Sequence, residues 1–292
     1  MLILPLALIS YGQAALLGLL QGFSELFPIS SLGHSVILPQ LLGWDIHQND
    51  SFFVTFLVAT HLATALVLLG FFWHDWVRIV RGLGRSLQRR EIGDDADARL
   101  GWLLVVGTVP AGLLGLLLEH WLRDLFASGS SAAFFLILNG IMLYGAERLR
   151  RRAPVVEGEA GSDERIAGQV TWRGALAVGA AQAVALIPGF SRSGATMGGG
   201  LLVGLSNEDA ARYAFLLATP IIGAAAALKL PDLFGTGGNG VRGPALVGAV
   251  CSAFTAYLAI RFLMKYFETN RLTPFAAYCV AAGSAALLYF VL

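Results

Sequence analysis

The stretch Gln21-Gly-Phe-Ser-Glu25-Leu-Phe-Pro28-Ile-Ser30-Ser31-Leu-Gly33-His34 places a carboxylate, several hydroxyls and an imidazole inside an otherwise apolar segment. Burying such groups is costly unless they are paired, so a functional site is the default reading. Gln21 and Glu25 stand at i, i+4 and share a helix face; beyond Pro28, Ser30 and His34 stand at i, i+4 and Ser31 and His34 at i, i+3. An acid, a nucleophile and a base can therefore converge, and Glu25, Ser31 and His34 are the candidate catalytic residues.

A second constellation reads Ala185-Leu-Ile-Pro188-Gly189-Phe-Ser191-Arg192-Ser193-Gly194-Ala-Thr196. Pro188 and Gly189 open a turn, Ser191 or Ser193 can cap, and the helix that follows would aim free N–H groups at whatever Arg192 holds. A helix N-terminus beside a guanidinium is an anion site suited to phosphate. Arg192 joins the catalytic candidates, and Ser30, Gly189, Ser191, Ser193, Thr196 and Gln182, the last about one turn before Pro188, are read as substrate-binding. Ser24 and Ser35 are expected to bond their own backbones. His61 either lines the same cavity or satisfies itself on a neighbouring carbonyl, and His47 with Asp45 and Asp50 reads as an exposed loop. Cys251 and Cys279 lie in apolar segments without metal-type spacing and are read as structural.

The elements that position these motifs are membrane helices. Hydrophobic residues make up 56% of the chain and charged residues 13%, with the apolar residues in blocks of about 17 to 25, the length a bilayer demands. A net charge of +1 offers no field for nucleic acid. Six spans are expected: Phe52 to Trp73, Gly101 to Trp121, Ser131 to Glu147, Asp209 to Leu230, Pro244 to Lys265 and Thr273 to Leu292. Two further apolar regions, Pro5 to Leu42 and Gly174 to Gly204, are broken by the polar motifs, an interruption tolerated only where the backbone is buried in protein or lines a cavity. Both are read as re-entrant helical hairpins. The apolar stretch from Leu2 to Leu20 lacks a basic leading region and runs into a polar motif, so it is expected to stay in the mature protein.

Aligning Pro28 with Pro188 sets Glu25-Leu-Phe-Pro-Ile-Ser-Ser31 beside Ala185-Leu-Ile-Pro-Gly-Phe-Ser191, and Phe56-Leu-Val-Ala-Thr-His61 beside Phe215-Leu-Leu-Ala-Thr-Pro220. The expected fold is thus an all-α polytopic membrane protein with an inverted-topology repeat, each half one hairpin and three spans. Residues 1–147 form the first repeat, 148–173 a cytoplasmic basic linker and 174–292 the second repeat. Arginines crowd the loop from His74 to Arg99 and the one after Glu147, which places both in the cytoplasm. From Ala153 to Gln169 a mobile linker is expected, and the basic loops are assigned no role beyond topology.

The run from Gln21 to His34 resembles the first motif of the bacterial undecaprenyl-diphosphate phosphatase (undecaprenyl pyrophosphatase, bacitracin-resistance) family, and Pro188 to Thr196 is similar to the second nearly letter for letter. The resemblance covers essentially the whole chain. It implies removal of the terminal phosphate of a polyprenyl diphosphate lipid on the outer face of the bacterial cytoplasmic membrane, returning the carrier to peptidoglycan and polysaccharide synthesis. It further implies a divalent cation, Mg²⁺ or Ca²⁺, with Gln21 and Glu25 as metal residues, Arg192 and Thr196 on the diphosphate, and membrane lipid as surroundings; a homodimer is an allowed assembly. Within that chemistry Ser31 Oγ attacks with His34 as base, while attack by His34 or by water uses the same residues. Gln21 stands where the family often has Glu, and an amide can ligate a metal but cannot take a proton at neutral pH. The rival class is a transporter or flippase, for which inverted repeats and an anion-binding arginine would also serve.

Overall fold

Pro28 ends the first helix of the chain as its chemistry requires. Phe27, the residue before it, is extended at φ −67° and ψ 141°, because the proline ring excludes helical geometry from its predecessor. At the other end Ser10 accepts from the Gln13 N–H at 3.2 Å while the Gln13 side chain accepts from the Ser10 N–H at 2.9 Å, a reciprocal cap. These signals bound α1 (Tyr11–Leu26), and α2 (Ser31–Leu41) returns after the turn. The computed structural model describes residues 9–46, 51–125, 128–150, 161–235 and 240–292, and its regular elements among these are all helical.

Among the described residues six helices are long and apolar enough to cross a membrane: α3 (Ser51–Phe71), α5 (Ala96–Leu125), α6 (Gly129–Arg150), α10 (Asn207–Phe234), α11 (Arg242–Phe267) and α12 (Thr273–Val291). The six expected spans fall on them. The second hairpin is α8 (Trp172–Ala183), a single 3₁₀ turn at Val184–Leu186, and α9 (Arg192–Leu202).

The packing exchanges elements between the halves. α1 lies along α11 and α8 along α5, while α3 packs on α10 and α6 on α12. Both hairpin contacts are made at glycine. A Cβ on Gly18 would stand 2.7 Å from the Gly248 Cα, and one on Gly179 would stand 2.9 Å from the Gly107 carbonyl carbon. Without side chains at these crossings the backbones touch, which is how helices associate where lipid supplies no hydrophobic drive.

Two expectations on the polar side are corrected. Most of the stretch from His74 to Arg99 is not loop: α4 (Trp73–Arg89) runs through it and closes on Arg90 at φ 57°. The linker expected to be mobile folds, after residue 160, into α7 (Ser162–Gln169), which buries Asp163, Ile166 and Ala167. Charge holds it down. Asp163 accepts from Arg78 at 2.5 Å and from the Arg212 Nε at 2.7 Å, and Arg165 grips the Asp209 carboxylate at 2.7 and 2.9 Å. Two arginines also cap carbonyls, the buried Arg150 on Leu205 at 2.6 Å and the half-buried Arg99 on Ala167 at 2.5 Å. Arg78, Arg165 and Arg212 thus tie α4, α7 and α10 together. His47 and Asp50 lie outside the described residues.

Candidate active site

The two turns of the hairpins meet, and one side chain sews them. Asn139 of α6, at 0% exposure, donates to the Pro28 carbonyl at 3.0 Å and accepts from the Ser191 N–H at 3.1 Å. Ser193 Oγ donates to the Phe27 carbonyl at 3.0 Å and lies 3.0 Å from Ser191 Oγ, which in turn caps α9 by accepting from the Gly194 N–H at 3.1 Å. Gly189 turns at φ 104°, a left-handed conformation that glycine adopts freely, and it abuts the backbone of α6 at Ala132 and Leu136. Asn139 was not among the sequence candidates: a lone amide within an apolar span was its only signal.

This junction places Glu25 opposite Arg192. The carboxylate is 6% exposed, and its Oε1 pairs with Arg192 Nη2 while its Oε2 accepts from Ser31 Oγ. Gln21 Nε2 donates to the same Oε2 at 2.8 Å. His61 of α3 reaches in as well: its Nε2 is 3.4 Å from Glu25 Oε2 and 3.2 Å from Gln21 Nε2, and its Nδ1 is 2.7 Å from the Leu57 carbonyl. Both readings of His61 thus hold together, since it bonds a carbonyl and lines the cluster. Of the acid, nucleophile and base expected to converge, Glu25 and Ser31 do meet, and Arg192 of the second hairpin joins them.

His34 does not join them as expected. Its Nδ1 is 2.7 Å from the Ser30 carbonyl and its Nε2 is 2.8 Å from the Tyr278 hydroxyl, whose ring stacks at 12°. The partner of the Ser31 hydroxyl is therefore Glu25, and the expected pairing of Ser31 with His34 as its base is corrected. The reason is local: one turn of α2 points His34 back at the carbonyl of its own cap, Ser30, and outward to α12. Ser30 pays for this turn with φ 69°, its side chain accepting from the Gly33 N–H at 3.1 Å; a non-glycine residue held in that region is strained and such residues gather at active sites.

The other candidates divide. Thr196 Oγ1 donates to the Arg192 carbonyl at 2.8 Å and so serves its own helix, as Ser24 does on Leu20 at 2.6 Å and Ser35 on Ser31 at 3.0 Å. Gln182 is buried with neither amide atom partnered. On the residues that bond Glu25, two more buried atoms lack protein partners: Arg192 Nη1, a donor, and Gln21 Oε1, an acceptor. Both residues bond the Glu25 carboxylate through their other nitrogen, Arg192 Nη2 and Gln21 Nε2, and the two unpartnered atoms suit ligands of opposite sign, an anion on the guanidinium and a cation on the amide oxygen. Among the described residues no three of His, Cys, Asp and Glu cluster, so a divalent cation would find one carboxylate and one amide oxygen here. That set fits an ion of the Mg²⁺ kind, which is commonly bound through one or two carboxylates and takes its remaining ligands from substrate phosphates and water.

The family model described as bacitracin resistance protein BacA matches residues 14–285. A protein named undecaprenyl-diphosphatase from Mycolicibacterium paratuberculosis is 49% identical, covering 97% of this chain and 98% of the relative. One of the same name from Mycobacterium avium is 49% identical over 98% of this chain and 99% of its own. An undecaprenyl-diphosphatase 2 from Chromobacterium violaceum is 43% identical over 95% and 98%.

Proposed function

Because the chain belongs to the bacitracin resistance protein BacA family, we propose that it hydrolyses undecaprenyl diphosphate to undecaprenyl phosphate and inorganic phosphate, recycling the carrier lipid for cell-envelope synthesis. The observation that carries the chemistry is the Glu25 carboxylate, joined at once to the Ser31 hydroxyl of one hairpin and the Arg192 guanidinium of the other. A transporter needs the arginine but has no use for a hydroxyl held against a carboxylate.

Phosphoryl transfer asks for positioning and charge neutralisation. Arg192, with Nη1 unengaged, and the α9 N-terminus bind the diphosphate oxygens. Ser31 Oγ attacks the terminal phosphorus, Glu25 accepts its proton, and the anhydride bond breaks to release the lipid monophosphate. Water then hydrolyses the seryl phosphate, with His34 as the base for that water. A divalent cation on Glu25 and the Gln21 amide oxygen would neutralise charge on the phosphates. Gln182 offers a buried amide to the substrate.

We read the two halves as inverted repeats, residues 1–147 and 174–292 on either side of the basic segment 148–173. The exchange of contacts, α1 on α11 and α8 on α5, supports this. Arginine-rich α4, with α7 packed beside it, then faces the cytoplasm, and the site opens to the outer face of the inner membrane. The test is phosphate release from C55 diphosphate by purified protein in detergent. Turnover with a phosphoserine trapped on the peptide from Gly22 to Leu38 is the expected result, and binding without turnover would reject the enzyme.

A further inference from the structure

His61 is the one imidazole that touches the carboxylate cluster among the described residues, and nothing in the mechanism above uses it. Its Nδ1 is 2.7 Å from the Leu57 carbonyl, one turn back on α3. A carbonyl only accepts, so Nδ1 carries the proton and Nε2 of the neutral ring presents a lone pair. That lone pair faces Glu25 Oε2, another acceptor, at 3.4 Å. The two N–H groups of the Gln21 amide bridge these acceptors, and a cation seated between them would satisfy the same two lone pairs. A histidine whose second nitrogen donates to a backbone carbonyl is also the usual arrangement of a metal ligand.

The third corner is Gln21. Its Nε2 is 2.8 Å from Glu25 Oε2 and 3.2 Å from His61 Nε2. The amide oxygen has no protein partner, although the residue is 1% exposed. A half-turn of the amide exchanges the two atoms and brings Oε1 to the same corner. The triangle of Glu25 Oε2, Gln21 and His61 Nε2 then has edges of 2.8, 3.2 and 3.4 Å. Adjacent ligands of an octahedral ion with bonds of about 2.1 Å are about 3.0 Å apart, whereas around Ca²⁺ they are about 3.5 Å apart.

We propose that His61 Nε2, Glu25 Oε2 and Gln21 Oε1 form one face of a site for a small divalent cation that accepts a nitrogen donor, the opposite face being left to diphosphate oxygens and water. This rests on the reading that the chain acts on a diphosphate. It adds a ligand to the pair expected from sequence, and it shifts the preference from Ca²⁺ toward ions that tolerate imidazole. The groups around His61 agree with this. α1 supplies Glu25, neutralised in part by Arg192 of α9; α11 supplies the hydroxyl of Ser252 beside Thr60 and Thr64; and Glu208, Asp209 and Arg212 of α10 are occupied with α7 and α4.

The test uses the full chain in detergent with Mn²⁺ as probe, with and without methylenediphosphonate. Free Mn²⁺ is followed by electron paramagnetic resonance, and bound Mn²⁺ by electron spin-echo modulation from ¹⁴N. Wild type should show imidazole nitrogen coupling. His61→Ala should weaken Mn²⁺ binding at least about tenfold, the smallest effect typical of losing even an outer partner of a ligand. His61→Gln, which keeps a polar side chain of similar reach, should lose the coupling and let Ca²⁺ displace Mn²⁺ more readily. Bound Mn²⁺ without nitrogen coupling, unchanged affinity in both variants, or no saturable binding would each overturn the proposal. Phosphate release from C55 diphosphate is measured on the same samples. Turnover by a protein whose Mn²⁺ ignores His61 refutes the cation site alone, whereas coupling without any turnover supports the site and refutes the enzyme.

Discussion

Replacing Asn139 with leucine tests whether the meeting of the two hairpins sets the chemistry. Leucine keeps the branching and the number of heavy atoms and removes the amide, so the Pro28 carbonyl and the Ser191 N–H, held at 3.0 and 3.1 Å, both lose their partner. In a soluble core each orphaned group would cost about 1–3 kcal/mol. Hydrogen bonds between membrane helices are worth less, about 0.6 kcal/mol on average and about 1.7 at most, because the unfolded state in the bilayer finds other partners. The stability loss should therefore be about 1–3 kcal/mol for the two together, and the fold should survive. Catalysis should suffer more. Glu25 and Arg192 come from opposite hairpins, and a shift of about 1 Å between reacting groups costs about a hundredfold in rate. We expect kcat for phosphate release to fall about a hundredfold, measured beside thermal unfolding in detergent. Cys279→Ala is the control: Asn139 also lies 3.3 Å from Cys279 Sγ, but losing that contact leaves both backbone bonds intact and should change kcat less than about threefold, since weak sulfur acceptors contribute little. An Asn139→Leu enzyme with kcat within about threefold of wild type would refute the view that this amide aligns the two halves.

Three further outcomes follow from the same geometry. Arg192→Ala should lower kcat/KM about a thousandfold, the lower range for an arginine that neutralises a transferring phosphoryl group, and Arg192→Lys should fall between, since it keeps charge but loses the fork; near-normal turnover in either would make the second hairpin a scaffold. Ser31→Ala should leave less than about a tenth of normal turnover and no trapped phosphoserine, whereas His34→Ala should retain phosphoserine formation and slow its hydrolysis, as judged by burst kinetics with labelled substrate; equal loss of the burst in both would place His34 in the first step after all. A cysteine at Gly235 should react with an impermeant maleimide in intact cells and one at Arg89 should not, and the reverse pattern would invert the assigned orientation.

What the sequence made legible was what the membrane makes expensive. Six apolar runs of bilayer length fall on six long helices, because lipid leaves the backbone so few alternatives. Glu25, Ser31 and Arg192 were visible for the same reason: groups too costly to bury without a partner advertise one. The failures have a different origin. From spacing alone His34 looked like the partner of Ser31, yet positions at i, i+3 share a helix face without sharing a target, and the Ser30 carbonyl and Tyr278, 244 residues away in the chain, claimed both ring nitrogens. Tyr278 sits in an apolar span where a tyrosine carries no signal.

Asn139 and α7 escaped for a related reason. An amide is cheap enough to bury that a lone Asn in a span raises no alarm, and its meaning lies in two backbone groups from segments 111 and 52 residues away. The Ala153 to Gln169 segment read as mobile because proline, glycine and mixed charge cannot build a core. The portion that forms α7 needs none, since Ile166 and Ala167 are buried against helices already in place and Asp163 meets arginines 85 and 49 residues distant. In each case the decisive partner is a group whose own neighbourhood in the sequence is bland, so local chemistry revealed which residues needed satisfaction while only the fold revealed what satisfied them. That asymmetry also explains His61. Its two readings in sequence resolve only when α3 brings its Nε2 to 3.4 Å from a carboxylate of α1 while its Nδ1 keeps the Leu57 carbonyl, so the meeting of imidazole and carboxylate is a property of the assembled site rather than of any segment.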